Sequence, residues 1–310
     1  MKKGILICGH GSRDKEGVEH FKVLVRKLQD RYPDDVVDYG FLEFAHPVYA
    51  AAVERMYLQG VRHIIALPAI LFAGGHAKND IPYEMNSLQQ QYPDLTITMA
   101  RHLGISAPLL QLSQLLIEEA ETAMKAADKA DACLLLVGRG TNDPDANSDV
   151  AKLARMLGEG MGFGFTTTAY IGVTQPLLAD ILPILEHLPF KRVIVLPVFL
   201  FTGILLKRIY SQVADWQASS TKEYLCTASF GSHELLLQAI DERIQEAQAG
   251  HGNMNCQLCK YRTQIVGFEE DMGKEQIGHH LNVKGILFEE EEKPGAQKGI
   301  LSTVKKVFGI

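Results

Sequence analysis

Three titratable side chains follow short apolar segments in the first half of this 310-residue chain. His10 follows the first segment along the chain, Glu43 follows the second, and His76 follows the third after a glycine-bearing loop. Two imidazoles and one carboxylate suit a borderline divalent ion such as Co²⁺, Fe²⁺, Ni²⁺ or Zn²⁺. Nitrogen ligands that titrate near neutrality can also take up protons. These residue types therefore predict a metal site that also handles protons, provided that the fold brings them together.

Short apolar runs alternate with amphipathic stretches in this half, which predicts strands separated by helices. The predicted strands are Gly4–Cys8, Val36–Phe41, His63–Pro68 and Thr96–Ala100. The predicted helices include Val18 to Leu28, cover Val48–Gln59 and Pro82–Gln91, and resume behind an N-cap at Ser106. Such an order gives a parallel sheet covered by helices on both faces, and ligands bind at the carboxyl ends of its strands. We therefore expect His10, Glu43 and His76 to meet at one edge of the sheet.

The second half of the chain repeats the first in sequence. Three blocks match at a single offset of 129 residues, which pairs Gly4 with Cys133, Phe41 with Tyr170 and Leu67 with Leu196. One register kept across three separated blocks indicates the duplication of a domain. We therefore predict an α/β protein of two duplicated domains, each a parallel sheet flanked by helices, over residues 1–126 and 127–248, with a C-terminal extension over 249–310.

The repeat also offers an internal comparison for the three candidate residues. Their counterparts in the second half are Arg139 for His10, Gly172 for Glu43 and Leu205 for His76. All three chemical groups are lost together while the scaffold around them persists, which fits one functional unit better than three unrelated changes. Other histidines do not converge in this way and are predicted to be structural or surface residues: His20, His46, His63 and His102.

Bulk properties argue against several classes of protein. The formal net charge is −6, with no basic run interleaved with aromatic residues, which argues against nucleic-acid binding. The longest apolar stretch, Val193–Leu206, has 14 residues, fewer than the roughly 18 that a membrane-spanning helix needs. No cleavage-site pattern follows Met1, so we expect a cytoplasmic protein without a signal peptide.

Several motifs resemble those of the class II tetrapyrrole metal chelatases. They are Gly9-His10-Gly11-Ser12-Arg13, Leu67-Pro68 followed by Gly74-Gly75-His76, and the duplicated α/β halves, over about the first 248 residues. Within that family the sequence is most similar to the long-form sirohydrochlorin cobaltochelatases, CbiX, which are related to the SirB ferrochelatases. The resemblance implies a chelatase-like fold of two lobes with the site in the cleft between them.

The resemblance also implies an activity, namely ATP-independent insertion of Co²⁺ into sirohydrochlorin for cobalamin biosynthesis. His10 and His76 would bind the incoming metal and take up the two pyrrole protons, with Glu43 assisting. Insertion of Fe²⁺ for siroheme biosynthesis is the alternative, and Ni²⁺ is a further candidate metal. No Gly-x-x-x-x-Gly-Lys-Ser/Thr loop is present in the sequence, which agrees with a reaction that uses no ATP.

Sirohydrochlorin is a polycarboxylate, so a cleft that binds it needs cationic side chains. Arg13, Lys78 and Arg139 lie beside the motifs and are the predicted carboxylate contacts. An arginine in place of His10 in the second half suits a domain that binds substrate without holding metal. The alternative for these three residues is solvated surface charge.

The extension carries the sequence Met254-x-Cys256-x-x-Cys259. A Cys-x-x-Cys pair outside a βαβ unit predicts an accessory metal site, and this run resembles the extension of long-form CbiX, which is associated with an iron–sulfur cluster. Two cysteines are too few to hold a cluster. A second chain would contribute its own pair, in a homodimer through the extension, or a histidine would complete the site: His251, His279 or His280. A tail without such a role is the alternative.

Two rival functions compete with metal insertion. A histidine phosphatase also carries a histidine motif behind its first strand, but Gly9 stands here where its phosphate-binding arginine should be. Such an enzyme also gives no reason for His76. The second rival is a non-catalytic, two-lobed metal-binding protein or metallochaperone. That protein would use the same ligands but would not need a cleft for an organic substrate.

Overall fold

Two four-stranded parallel sheets, one in each half of the chain, form the framework of the protein. The computed structural model describes residues 2–122, 128–254 and 256–274 together with Lys284. His279, His280 and the side chain of Cys256, which the sequence marks as candidate ligands, lie outside the described residues. Within the described part of the chain, no helix combines the length and the apolar character needed to cross a membrane.

The first sheet has the strand order β2-β1-β3-β4. Its strands are β1 Lys3–Gly9, β2 Val36–Phe41, β3 His63–Pro68 and β4 Thr96–Met99. Its helices are α1 Lys15–Arg31, α2 Tyr49–Leu58, α3 Ile81–Gln91 and α4 Ala107–Thr122, and a π-helix, His76–Asp80, leads into α3. The predicted strands are confirmed to within one residue at each end, because parallel strands that are buried on both faces have continuous apolar sequences.

The second sheet repeats this topology in the order β6-β5-β7-β8. Its strands are β5 Ala132–Gly138, β6 Phe165–Tyr170, β7 Arg192–Pro197 and β8 Glu223–Cys226. Its helices are α5 Pro144–Met161, α6 Leu178–Glu186, α7 Ile204–Gln217 and α8 Glu234–Gln248. Each strand and α-helix of the first half therefore has its counterpart in the second, and the predicted duplication is confirmed. The extension adds short 3₁₀ turns at Cys256–Leu258 and Glu269–Asp271.

The start of α4 differs from the sequence expectation. The carbonyl oxygen of Ser106 accepts a hydrogen bond from the Leu110 N–H at 2.9 Å, but its hydroxyl is buried and has no partner among the described residues. A capping hydroxyl needs the free N–H of the second or third helical residue. Pro108 occupies the second position and has no N–H to donate. The helix is present, and the predicted side-chain cap is not.

A continuous apolar core joins the two halves. It includes Leu112 and Ile117 on α4 and Ile240 and Ile244 on α8, all largely or fully buried. The Phe21 ring on α1 also lies 5.9 Å, centroid to centroid, from the Phe201 ring of the second half. Burial of this shared apolar surface holds the two domains against each other.

Two matching ion-pair clusters complete the contact between the halves at the carboxyl ends of their strands. Lys78 Nζ, in the π-helix behind β3, lies 2.9 Å from a carboxylate oxygen of Asp143 and 2.9 Å from one of Asp145 at the start of α5. Its counterpart Lys207 reaches the equivalent acidic pair at the start of α1, at 2.7 and 2.9 Å. The Lys78 side chain is 1% exposed and that of Lys207 is 51% exposed. The two domains are thus joined by reciprocal contacts, of which the one beside the first-half site is buried.

Candidate metal centre

The loops behind β1 and β2 are locked together by their backbones. The Glu43 N–H donates to the His10 carbonyl oxygen at 2.9 Å. Gly11 has a left-handed φ of 93°, and a Cβ on it would lie 1.8 Å from the Glu43 carbonyl oxygen. Only glycine fits this close approach, so the Gly-His-Gly sequence is needed to bring the two side chains side by side.

The structure brings His10, Glu43 and His76 together at the carboxyl edge of the first sheet. One ligand atom from each residue lies within 4.8 Å of those from the other two. His10 Nε2 is 3.7 Å from Glu43 Oε2, and the two imidazole rings meet edge to face with their centroids 4.6 Å apart. Glu43 is buried and both histidines are half-buried. Among the described residues this is the one cluster of three or more such ligands that could share a metal ion.

His10 is oriented to present a bare ring nitrogen to the site. Its Nδ1 lies 3.0 Å from the Gly11 carbonyl oxygen, which can only accept, so the hydrogen bond places the proton on Nδ1. Its Nε2 is buried and has no hydrogen-bond partner in the described part of the chain. Burial is the main cause of a lowered pKa at His10, and electrostatic contributions from the neighbouring His76 and Arg139 add to it, so that the pKa falls to about 3. His10 is therefore neutral at physiological pH, with an unshared pair on Nε2.

His76 is held by a carboxylate that the sequence reasoning did not identify. Its Nδ1 lies 2.6 Å from Asp80 Oδ2, while Asp80 Oδ1 accepts a hydrogen bond from Asn79 Nδ2 at 2.9 Å. Both residues lie in the π-helix, a wide turn that recurs at functional sites. A carboxylate behind a histidine fixes the ring and strengthens its other nitrogen as a ligand. Nε2 of His76 is thereby left for the metal.

Asp80 at the end of the π-helix and Glu84 in the first turn of α3 are buried carboxylates, 1% and 4% exposed. Buried carboxylates are rare because of the cost of desolvation. Their counterparts at the 129-residue offset are Ile209 and Val213, which are ordinary core residues. Extending the internal comparison from the strand ends to α3 would have found both. Glu84 also pairs with the extension, since Lys284 Nζ lies 2.5 Å from its Oε2.

The three predicted cationic contacts have different surroundings. Arg13 is exposed, and its guanidinium carbon lies 4.6 Å from the centroid of the Phe44 ring. Arg139 is exposed and close enough to His10 to contribute to lowering that histidine's pKa. Lys78 is instead buried between two carboxylates of the other half. The structure therefore leaves the two arginines exposed near the site and places the lysine in the contact between domains.

The extension packs against the first domain close to α3. Met254 Sδ lies 3.4 Å from Nδ1 of His102, a buried histidine whose pKa is lowered by desolvation to about 4. Cys259 is buried and is a free thiol. The described residues around it contain no second group of metal ligands. The accessory metal or iron–sulfur site at Cys256 and Cys259 therefore stays a prediction.

Comparison with known proteins gives consistent matches. The CbiX family model matches residues 4–120 and 133–247, which are the two halves of the repeat. The sirohydrochlorin cobaltochelatase of Priestia megaterium is 31% identical over 279 residues, 90% of this chain and 88% of that protein. The sirohydrochlorin ferrochelatase of the same organism is 27% identical over 254 residues, 82% of this chain and 93% of that protein. The structure of SirB from Bacillus subtilis with Fe³⁺ superposes with a TM-score of 0.73 at 26% identity, over 82% of this chain and all of that one.

Proposed function

The chain belongs to the CbiX family of sirohydrochlorin chelatases, and from that premise we propose that it is a cobaltochelatase that inserts Co²⁺ into sirohydrochlorin without ATP. The observation that carries the proposal is the cluster of His10, Glu43 and His76, whose ligand atoms lie within 4.8 Å of one another. Such a set binds a borderline divalent ion and leaves coordination positions open. Open positions are what a site needs if it is to hand its metal to another ligand.

The extension favours cobalt over iron. The cobaltochelatase match covers 279 of the 310 residues, or 90% of the chain. The part left out is shorter than the extension that begins at residue 249, so the match continues into the extension and through Cys256 and Cys259. The ferrochelatase match covers 82% of the chain, or 254 residues, which is little more than the two domains of residues 1–248. Iron is the second candidate metal, because the ferrochelatase of Priestia megaterium is nearly as similar to this chain, at 27% identity.

The surroundings of His10, Glu43 and His76 indicate which of them bind the metal and which accept the pyrrole protons. His10 is neutral, with its pKa lowered to about 3 by burial, so it serves as a metal ligand and is a weak base. His76 is held through Nδ1 by the Asp80 carboxylate, and its Nε2 can accept a proton once the metal has left it. The Glu43 carboxylate is the second acceptor, so the two pyrrole protons leave to His76 and Glu43 as the ring nitrogens replace the protein ligands on the metal. Arg13 and Arg139 would bind the substrate carboxylates.

The test is to mix the purified protein with sirohydrochlorin and Co²⁺, Fe²⁺ or Ni²⁺ and to follow the absorption spectrum of the tetrapyrrole. We expect insertion faster than in protein-free solution, with Co²⁺ preferred. Fe²⁺ turned over with a higher kcat/KM than Co²⁺ would favour the ferrochelatase. Co²⁺ binding with no acceleration for any metal would contradict the chelatase and favour a non-catalytic metal-binding protein. Hydrolysis of a generic phosphate ester would favour the phosphatase.

A further inference from the structure

Two apolar side chains of the second domain are exposed next to the positions where the metal ligands have been lost. Val173 is 72% exposed and follows Gly172, the counterpart of Glu43. Ile204 is 52% exposed and precedes Leu205, the counterpart of His76. The strand-end loops of the second domain therefore keep their positions and present apolar surface in place of metal ligands.

The backbone at Val173 makes this choice of residue unusual. Its φ is +67°, in the left-handed region, where a β-branched residue is a genuine outlier. Asparagine or glycine would relax this position. A valine that is 72% exposed gains little from burial within the chain, so internal packing does not explain it. Phe44, the counterpart of Val173 in the first domain, has a φ of +56°. Both domains therefore keep an apolar residue in this strained backbone conformation. Backbone strain of this kind is concentrated at ligand sites.

These loops flank the metal centre. The Gly172 carbonyl oxygen lies 1.9 Å from where a Cβ on Gly140 would stand, which places the Val173 loop against the one that carries Arg139. The Arg139 loop in turn adjoins the loop that carries His76, since a Cβ on Gly74 would lie 3.2 Å from Thr141 Oγ1.

Ile204 and Phe44 approach the same centre from other sides. Ile204 follows Gly203, on which a Cβ would lie 3.8 Å from Ser12 Oγ, two residues after His10. In the first domain, the Phe44 ring centroid is 6.3 Å from that of His10. Phe44 thus lies beside the His10 ring, and Ile204 follows a loop that adjoins the His10 loop.

We propose that Phe44, Val173 and Ile204 form an apolar rim that receives the flat face of the tetrapyrrole as it approaches the metal, an inference that rests on the proposed function. A macrocycle that brings its four nitrogens to a metal on His10 and His76 must lay its apolar face over the surface around them. Its carboxylates then project beyond that face, toward Arg13 beside Phe44 and toward Arg139, whose loop adjoins that of Val173. An apolar rim with cations outside it complements an apolar disc with an anionic edge.

The test replaces the rim with polar residues that the backbone tolerates. Val173→Asn relieves the left-handed strain, and Ile204→Gln places a polar residue that favours helices at the exposed start of α7. The matched control is Leu58→Gln, because Leu58 is 78% exposed at the end of α2 and is no part of the rim. Measurements are KM and kcat for sirohydrochlorin with Co²⁺, calorimetric Co²⁺ affinity, and Tm.

For the Val173→Asn/Ile204→Gln double variant we expect KM to rise roughly tenfold, since two apolar contacts with the substrate are lost. Its kcat, Co²⁺ affinity and Tm stay near those of the wild type, and the control variant is unchanged. A double variant with wild-type KM overturns the rim. So does a double variant that loses Co²⁺ affinity in proportion to its activity, because the two residues would then support the metal site.

A metal-free titration separates failure of the rim from failure of the proposed function. The wild type and the double variant are titrated with sirohydrochlorin alone, and binding is measured from its absorption. Weaker binding by the double variant supports the rim without any need for turnover. A wild type that neither binds sirohydrochlorin nor inserts metal overturns the proposed function and the rim with it. Equal binding by both proteins overturns the rim alone.

Discussion

Replacing Asp80 by asparagine keeps the shape of the side chain behind His76 and removes its charge. The Asp80 carboxylate is 2% exposed and accepts from His76 Nδ1 at 2.6 Å. Hydrogen bonds to charged groups contribute about 1.5–3 kcal/mol and neutral ones about 0.5–1.5 kcal/mol. The difference of about 1–1.5 kcal/mol corresponds to roughly a tenfold change in an equilibrium constant. Loss of an outer carboxylate behind a metal-ligating histidine typically costs 10–100-fold in affinity, so Asp80→Asn is expected to bind Co²⁺ about tenfold more weakly.

Isothermal calorimetry of the metal-free protein with Co²⁺ measures this effect directly. The control is Asp94→Asn, an exposed carboxylate that pairs with Arg62 at 2.8 Å and has no contact with His76. Its Co²⁺ affinity is expected to equal that of the wild type. An Asp80→Asn protein with wild-type affinity and an unchanged Tm would refute the argument that the carboxylate prepares His76 as a ligand.

Three further predictions use positions that the structure distinguishes. Lys78→Met leaves two carboxylates buried without their cation and should lower the free energy of unfolding by about 3–5 kcal/mol in urea denaturation. Lys207→Met breaks an exposed ion pair and should lower it much less. Equal losses would contradict the difference in burial. Gly11→Ala should abolish Co²⁺ binding in calorimetry, because its Cβ would lie 1.8 Å from a carbonyl oxygen, while Gly60→Ala, at a φ of 85° but in open space, should bind Co²⁺ normally. The pKa of His102 is lowered by burial to about 4, so between this value and about 6.5 the unfolded chain binds a proton that the folded chain excludes, and stability is lost as the pH falls through that range. The free energy of unfolding of a His102→Gln protein should therefore fall less steeply than that of the wild type over the same range. Identical pH profiles for the two proteins would contradict the effect of burial.

The sheet and the convergence of His10, Glu43 and His76 could be predicted from the sequence because both depend on local patterns. Apolar runs of strand length define parallel strands, and the loops behind parallel strands all lie at one edge of the sheet. The internal repeat added a comparison that marked these three positions as a set.

The surroundings of Asp80 and Lys78 were not foreseen, for two different reasons. In the sequence Asp80 is an ordinary polar residue at the start of a helix, and only the π-helix turn and the burial of α3 bring it onto His76. Lys78 stands beside a motif, which suggested a substrate contact. Its ion pairs with Asp143 and Asp145 join residues 65 and 67 positions apart in the chain and require the two domains to be docked.

The most direct test of the metal centre is the initial rate of Co²⁺ insertion into sirohydrochlorin by His10→Ala and His76→Ala, beside His20→Ala. His20 is an exposed histidine on α1 and is no part of the centre. We expect both site variants to fall to the protein-free rate and the His20 variant to keep the wild-type rate. Full activity in the two site variants would contradict the claim that these histidines hold and deliver the metal.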